Sequence, residues 1–178
     1  IIEDYAFYNC KGFTGSLTIP NSVTTIGIYA FYDCSGFTGD LTIGNSVTTI
    51  GKYAFSDCSG FTGSLTIGNS VTTIGERAFY SCTGLTSVII GTGVTSIGNE
   101  TFNGCTSLEE IVLPIGVGKI DNSNGWGTPV DGGIFRDCPN IKAIYVPAKK
   151  GDYYRDRLDS KFHDIIIEVE PEKKTKKK

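Results

Sequence analysis

The 178-residue sequence has no methionine, one tryptophan and one histidine. Only one side chain can therefore supply an imidazole. That histidine, His163, stands beside Asp164. Serine–histidine catalysis would need a reactive serine and an orienting acid close to it. The serine and threonine residues are spread along the chain, and none stands out as a nucleophile. We therefore interpret His163 as a surface or capping residue rather than a catalytic base.

Two further absences concern partners. No stretch is long and apolar enough to span a bilayer, so membrane insertion is not expected. The net charge is −3 and no basic face is evident, which argues against a nucleic-acid partner. Lysines gather only at the end of the chain, where apolar residues are lacking, and this composition predicts a disordered tail over residues 171–178.

The feature that is present in abundance is a phenylalanine placed three residues before a cysteine. Six such pairs follow one another at separations of 24, 24, 24, 23 and 33 residues: Phe7/Cys10, Phe31/Cys34, Phe55/Cys58, Phe79/Cys82, Phe102/Cys105 and Phe135/Cys138. A fixed period of this size indicates a repeat protein. Each repeat cannot bury its apolar face alone, so stacked neighbours must supply a continuous core.

Within each repeat the apolar residues define two walls. Leu85, Val88 and Ile90 make the L-x-x-L-x-L pattern of a leucine-rich-repeat strand, and Val94 and Ile97 make a second apolar pair. These patterns predict a mainly β, leucine-rich-repeat solenoid, a right-handed superhelix of about six coils. A parallel sheet should line the concave side, and short extended segments should lie opposite, because Val and Thr favour strands.

The six cysteines occupy the same position in every repeat, which predicts a column down the stack. Neighbours in that column would be about one strand spacing apart, roughly 5 Å. Ladder geometry rarely provides the dihedral angle of a disulfide, so we expect six buried, reduced thiols that act as small hydrophobes. A zinc site needs convergent ligands, which one column does not supply.

Two departures from the repeat mark its end. About ten extra residues from Asp121 to Asp131 contain Trp126 and predict a surface loop. After Pro147 the pattern stops, and the following helix-like and strand-like segments predict a C-terminal helix–strand cap over 148–170. The chain opens in the middle of a repeat, so we expect 1–147 to be an N-terminally truncated set of repeats.

These residues resemble the BspA-like leucine-rich repeats of bacterial surface proteins. The family pattern, approximately C-x-x-L-x-x-I-x-I-P-x-x-V-x-x-I-G-x-x-A-F-x-x-C, is matched between two cysteines by Cys10, Phe13, Leu17, Ile19, Pro20, Val23, Ile26, Gly27, Ala30, Phe31 and Cys34. The resemblance covers about residues 2–147. It implies a secreted or cell-surface bacterial protein with a binding role, and it implies no particular partner.

Enzymatic and metal-binding alternatives have weak support. A parallel β-helix lyase or hydrolase would need carboxylates clustered on adjacent strands. Glu109 and Glu110 are consecutive, so their side chains should point to opposite faces. Asn21, Asn45 and Asn69 share one turn position, where we expect a stacked amide ladder rather than a calcium site, since no carboxylate repeats beside them. We therefore expect no enzyme activity, no cofactor and no bound metal.

The candidate binding surface is the outward side of the concave sheet. Outward strand positions run Thr18, Thr42, Thr66, Ile89, Val112 and Tyr145, so the row changes from threonine to apolar and aromatic residues. Contiguous exposed apolar residues often mark contact sites. We predict contact with a protein or glycan partner through Ile89, Val112, Tyr145, Glu110, Lys142 and Trp126. A second interpretation is that the insertion with Trp126, or the cap, covers this patch. The alternative is a structural spacer that presents another domain, which the near-identical early repeats favour.

Overall fold

A computed structural model describes residues 1–121 and 133–170, and in these ranges the chain coils through twelve short strands. In chain order the strands are β1 (Leu17–Ile19), β2 (Thr25–Ile26), β3 (Leu41–Ile43), β4 (Thr49–Ile50), β5 (Ser64–Ile67), β6 (Thr73–Ile74), β7 (Ser87–Ile89), β8 (Ser96–Ile97), β9 (Glu110–Val112), β10 (Lys119–Ile120), β11 (Ala143–Pro147) and β12 (Ile166–Val169). The predicted solenoid of about six coils is confirmed.

Successive strands alternate between two parallel sheets, so that a coil gives one strand to each sheet. Within the described ranges, one sheet has seven strands in the order β1-β3-β5-β7-β9-β11-β12, and the other has five in the order β10-β8-β6-β4-β2. Equivalent residues pair directly, as in Leu17 with Leu41 and Leu41 with Leu65. The repeat period therefore sets the register, and the seven-stranded sheet corresponds to the predicted concave sheet.

The core between the sheets is built from similar apolar residues at equivalent positions of successive coils. Leu41 and Ile43 on β3 are fully or almost fully buried while Thr42 between them is partly exposed, as strand alternation requires. The phenylalanines stack in the expected column. The Phe55 ring lies 5.0 Å from the Phe31 centroid and 5.4 Å from the Phe79 centroid, with interplanar angles of 4° and 3°.

The turn that carries each phenylalanine is tight. Tyr53 and Asp57 adopt positive φ angles of 55° and 61°, and Ala54 between them is completely buried. The turn is joined to the next coil by backbone hydrogen bonds, such as the one from Phe55 N to Ala78 O at 2.8 Å. Alanine also precedes Phe7, Phe31 and Phe79, whereas the last two turns have Thr101 and Ile134 at this position.

The cysteine column does more than fill space. From Cys34 onward, each thiol donates to the carbonyl of the phenylalanine one coil earlier, as in Cys58 Sγ to Phe31 O at 3.0 Å and Cys82 Sγ to Phe55 O at 3.1 Å. All six cysteines are free thiols, as predicted. The expectation that all six are buried is wrong for Cys10, which is partly exposed because it lies in the first coil.

The asparagine ladder is confirmed and has a backbone role. Asn21 Oδ1 accepts from Asn45 N at 2.8 Å, and Asn45 Oδ1 accepts from Asn69 N at 3.0 Å. The ladder continues to Thr92 N, which donates to Asn69 Oδ1. These side chains satisfy turn amides that have no strand partner.

The last coil is closed by a helix and a strand. The α-helix α1 (Gly151–Arg155) and a 3₁₀ helix (Ser160–Ile165) precede β12, and a further 3₁₀ turn (Gly133–Phe135) carries the last stacked phenylalanine. Tyr154 is buried, and its hydroxyl donates to Pro114 O. Glu168 on β12 accepts from Lys149 N and Gly151 N at the start of α1. The predicted helix–strand cap is therefore present, whereas the boundaries at 147 and 170 stay predictions.

Candidate binding surface

One line of side chains crosses the outside of the seven-stranded sheet. The strand register aligns Thr18 with Thr42 and Thr66, then with Ile89, Val112 and Tyr145. We call this line the outward row. It lies opposite the buried positions, because each of its members stands between two inward-facing neighbours on its strand.

The outward row changes character halfway along. Ile89 keeps 47% of its surface exposed although it lies in the middle of the sheet, while Val112 and Tyr145 are partly buried. Thr18 is exposed, and Thr42 and Thr66 are partly buried. Isoleucine in a central strand is normally covered, so its exposure here is the distinguishing feature of the second half.

Charged residues border the apolar part of the row. Glu110 begins β9 two residues before Val112, so both lie on the outward side of that strand. Lys142 and Glu109 form an exposed ion pair, with 2.8 Å between Lys142 Nζ and Glu109 Oε1. The predicted residues Ile89, Val112, Tyr145, Glu110 and Lys142 are thus on neighbouring strands or strand ends. Trp126 lies outside the described residues.

The sequence prediction missed one member of the row. β12 pairs in parallel with β11 and places Ile167 beside Tyr145. Ile167 is 42% exposed, so the cap extends the outward row instead of covering it. The run Ile165–Val169 indicated a strand, but only its tertiary pairing shows which of its residues faces outward. We call Ile89, Val112, Tyr145 and Ile167 the apolar end of the row.

Asp40, an acidic residue beside a strand, has a structural role. Asp40 Oδ1 accepts from Ser64 N at 2.7 Å and from Ser64 Oγ at 3.0 Å, so it joins adjacent coils. His163 is partly buried in the cap, with Nε2 3.2 Å from Leu158 O. Among residues 1–121 and 133–170, no group of three His, Cys, Asp or Glu side chains is arranged to hold a metal ion. In the same ranges, no helix has the length and apolarity needed to cross a bilayer.

Comparison with known proteins agrees with this geometry. The model of the BspA-type leucine-rich repeat region matches residues 1–124 in six copies. The chain belongs to this family. The coils of this BspA-type chain are joined by the seven-stranded sheet, the phenylalanine stack and the cysteine column. No curated protein matches the chain.

Solved structures show the same fold. The chain is similar to a leucine-rich repeat protein of T. pallidum, with a TM-score of 0.61 and 24% identity over 73% of this chain and 57% of that one. It is similar to a leucine-rich repeat protein of Bacteroides ovatus, with a TM-score of 0.55 and 30% identity over 86% and 42% of the two chains. It is also similar to the pneumococcal vaccine antigen PcpA, with a TM-score of 0.63 and 19% identity over 87% of this chain and 41% of that one.

These relationships define a class of protein but not a partner. The chain covers 57% or less of the length of these three solved chains. Leucine-rich repeats of this kind are generally scaffolds for binding or for structure. Which of these two roles the BspA-type chain has depends on the surfaces that its coils present.

Proposed function

We propose that the chain is a cell-surface or secreted bacterial binding module that contacts a protein or glycan through the apolar end of the outward row. The family supports the location, since BspA-type repeats are typically found in surface proteins. The observation that carries the binding role is the exposed Ile89, an isoleucine that a mid-sheet position leaves 47% open to solvent.

The size of the apolar end suits a macromolecular contact. Its four members lie on the adjacent strands β7, β9, β11 and β12, which span three strand spacings, or about 14 Å. The ion pair between Lys142 and Glu109 and the exposed Glu110 supply a polar rim beside it. An apolar centre with an aromatic residue and a charged rim is the usual composition of a protein interface.

The structural-spacer function is favoured by one specific observation. Thr18, Thr42 and Thr66 occupy the first half of the same row, and their coils are nearly identical in sequence. Threonine presents a methyl group and a hydroxyl that water solvates easily, so this half offers little to a partner. In a spacer, the first coils would set the distance between two ends of the protein. Contact with a partner would then be made by the last coils alone or by no coil.

The experiment compares substitutions at matched row positions. The immobilised chain is screened against extracellular proteins and a glycan array, and any partner found is titrated with variants. We expect Ile89→Asp and Tyr145→Ala to weaken binding about tenfold or more, because each removes part of the contact centre. Thr42→Ala is the matched control on the other half and should bind as the parent does.

Folding must be intact for the comparison to count. Ile89, Tyr145 and Thr42 are not fully buried, so the three variants should keep the circular-dichroism spectrum of the parent and close to its thermal midpoint. Equal partner binding by all three would remove the case for this surface. Failure of the parent to bind any protein or glycan through this face would favour the spacer function.

A further inference from the structure

Two columns of tyrosine rings run along the outside of the tight turns, on a surface distinct from the outward row. In the first column Tyr5, Tyr29 and Tyr53 are stacked, with centroids 5.2 and 4.7 Å apart. In the second column Tyr8 and Tyr32 are stacked at 5.0 Å. The columns touch edge to face, with 5.4 Å between the Tyr29 and Tyr32 centroids.

The second column is interrupted by a small residue. The turn reads Tyr-Ala-Phe-Tyr around Phe31, but Tyr-Ala-Phe-Ser around Phe55, so Ser56 occupies the position of a ring. The backbone keeps the column in register, because Asp33 N donates to Ser56 O and Asp57 N donates to Tyr80 O, both at 2.8 Å. Tyr80 then resumes the column. Tyr32 and Tyr80 are therefore two coil spacings apart, or about 10 Å.

The missing ring leaves an open cavity of about 320 Å³, which we call the tyrosine slot. Its lining residues are Tyr29, Tyr32, Tyr53, Ser56, Asp57, Arg77 and Tyr80. Ser56 is only 1% exposed and forms the floor. The volume is at the lower end of the range of small-ligand sites, which suits a single ring-sized group.

One carboxylate and one guanidinium are held in place at the slot. Asp57 Oδ2 accepts from Ser56 Oγ at 3.1 Å, and a hydrogen bond to Asp57 raises the pKa of the Tyr32 hydroxyl to about 12. A carboxylate can accept about four hydrogen bonds, so Asp57 retains capacity for a ligand. Arg77 is oriented by Glu100 Oε2 at 2.5 Å and by the Tyr53 hydroxyl at 2.7 Å.

Arg77 also defines which ligands fit. Its guanidinium carbon lies 5.7 Å from the Tyr53 ring centroid and 5.8 Å from that of Tyr80, so the positive charge already faces both rings. A cationic ligand side chain would be repelled by this positive charge. A purely apolar ring would bring no donor to Asp57 and no acceptor to Arg77, and desolvating these groups without partners is costly. The slot therefore favours a neutral ring that carries hydroxyl groups.

We propose that the tyrosine slot binds one pyranose residue of a glycan, with the sugar ring between Tyr32 and Tyr80 in place of the missing rung. The C–H faces of the sugar pack on the two aromatic rings, whose large rigid surfaces suit such contacts. Its hydroxyls donate to Asp57 and accept from Arg77, and these charge-assisted hydrogen bonds fix its orientation. This site is independent of the outward row.

The test fills the slot with the residue that neighbouring coils already carry. Methyl pyranosides of glucose, galactose, mannose and N-acetylglucosamine are titrated by saturation-transfer NMR, and an oligosaccharide array extends the search. We expect Ser56→Tyr to fold normally, since Tyr32 and Tyr80 occupy the same column position, and to weaken glycan binding about tenfold or more. Ser59→Tyr adds the same ring at an exposed position of the same coil and should bind as the parent does.

Each other outcome overturns the proposal. Absence of binding by the parent to every pyranoside and array glycan overturns it, as does equal binding by the parent and Ser56→Tyr. N-acetyltyrosinamide serves as the probe for an aromatic peptide side chain. If it binds and the sugars do not, the slot is a peptide site. Loss of binding in Tyr145→Ala but not in Ser56→Tyr would place glycan recognition on the outward row instead.

Discussion

The two halves of the outward row share one backbone and present different chemistry. Leu41 on β3 and Ile144 on β11 are both completely buried, and both pair in parallel with a neighbouring coil. On the outward side the corresponding positions are Thr42 and Tyr145. The contrast shows that the interior fixes the spacing of coils while the outward positions are free to vary, which is the separation that a binding scaffold requires.

The ladders between the coils show the same contrast. In the first half Asn21, Asn45 and Asn69 bridge successive turns through side-chain oxygens. In the second half the corresponding position holds Thr92, which receives the last of these bonds at its amide. The early coils thus use one repeated solution, and the later coils replace it locally.

The strongest test of a shared interior is truncation of a stacked ring. Phe55→Ala removes a fully buried ring between two others and should lower the free energy of unfolding by about 3–5 kcal/mol. Phe13→Ala, at a ring that is 39% exposed in the first coil, should cost less than half of that. Denaturant unfolding measures both, and equal losses would mean that the stack is not the main source of stability.

Alkaline pH should destabilise both halves alike, because burial raises the pKa of Cys58 in the first half and raises that of Cys138 in the last coil to about 12. Folding keeps both thiols protonated to higher pH. Their contribution to the free energy of unfolding is therefore complete below the unfolded pKa of about 9, and it is lost as pH rises toward about 12. Between these two pH values the free energy of unfolding should fall by more than about 1 kcal/mol.

The control for the alkaline effect is a pair of single substitutions. Cys58→Ala and Cys138→Ala should each reduce the dependence of unfolding free energy on pH between about 9 and 12, as measured by urea titration at several pH values. A pH dependence that changes in only one variant would break the equivalence of the two interiors.

A smaller effect should separate the ladders. Asn45→Ala removes the acceptor of the Asn69 amide and should cost about 1 kcal/mol. Thr92→Ala leaves the Thr92 amide bonded to Asn69 and should change stability by only a few tenths of a kcal/mol. Thermal unfolding of the two variants checks the difference, and a Thr92 effect as large as that of Asn45 would mean that the late coils depend on the same ladder.

The smallest effect is expected at the rim of the apolar end. Lys142 and Glu109 are both more than half exposed, so Lys142→Ala should change stability by less than about 0.5 kcal/mol. Chemical unfolding with and without added salt provides the measurement. A larger loss would show that Lys142 is needed for folding, and it would then be unsuitable for testing partner binding.

The fold could be predicted in detail because a repeat turns long-range contacts into periodic ones. A spacing of 24 residues between Phe31 and Phe55 already implies that their neighbours pair coil to coil, and the observed pairing of Thr42 with Thr66 follows from it. The outward placement of Ile89 followed from strand alternation alone. These inferences need no knowledge of how distant segments meet.

Features outside the period could not be predicted in this way. Ile167 joins the outward row only because β12 pairs in parallel with β11, and nothing in its local sequence specifies that partner. The tyrosine slot depends on a gap at Ser56 between rings from three coils, which a search for repeated residues passes over. The thiol bonds to phenylalanine carbonyls likewise need atomic positions that a pattern of buried residues does not contain.

The in-register stacking of coils that repeat every 24 residues has a consequence for how long such a protein can be. Removing residues 31–54, or duplicating them, would join Ala30 to Phe55 or Ala54 to Phe31, and each junction restores the native alanine–phenylalanine pair. Recombination between nearly identical coding segments could therefore add or delete whole coils without disturbing any hydrogen-bonded ladder. Each event would lengthen or shorten the distance between the first coil and the apolar end of the outward row by one strand spacing, about 4.8 Å. The distance from the first coils to the apolar end of the row would thus change in fixed steps, while the residues of the apolar end stay the same.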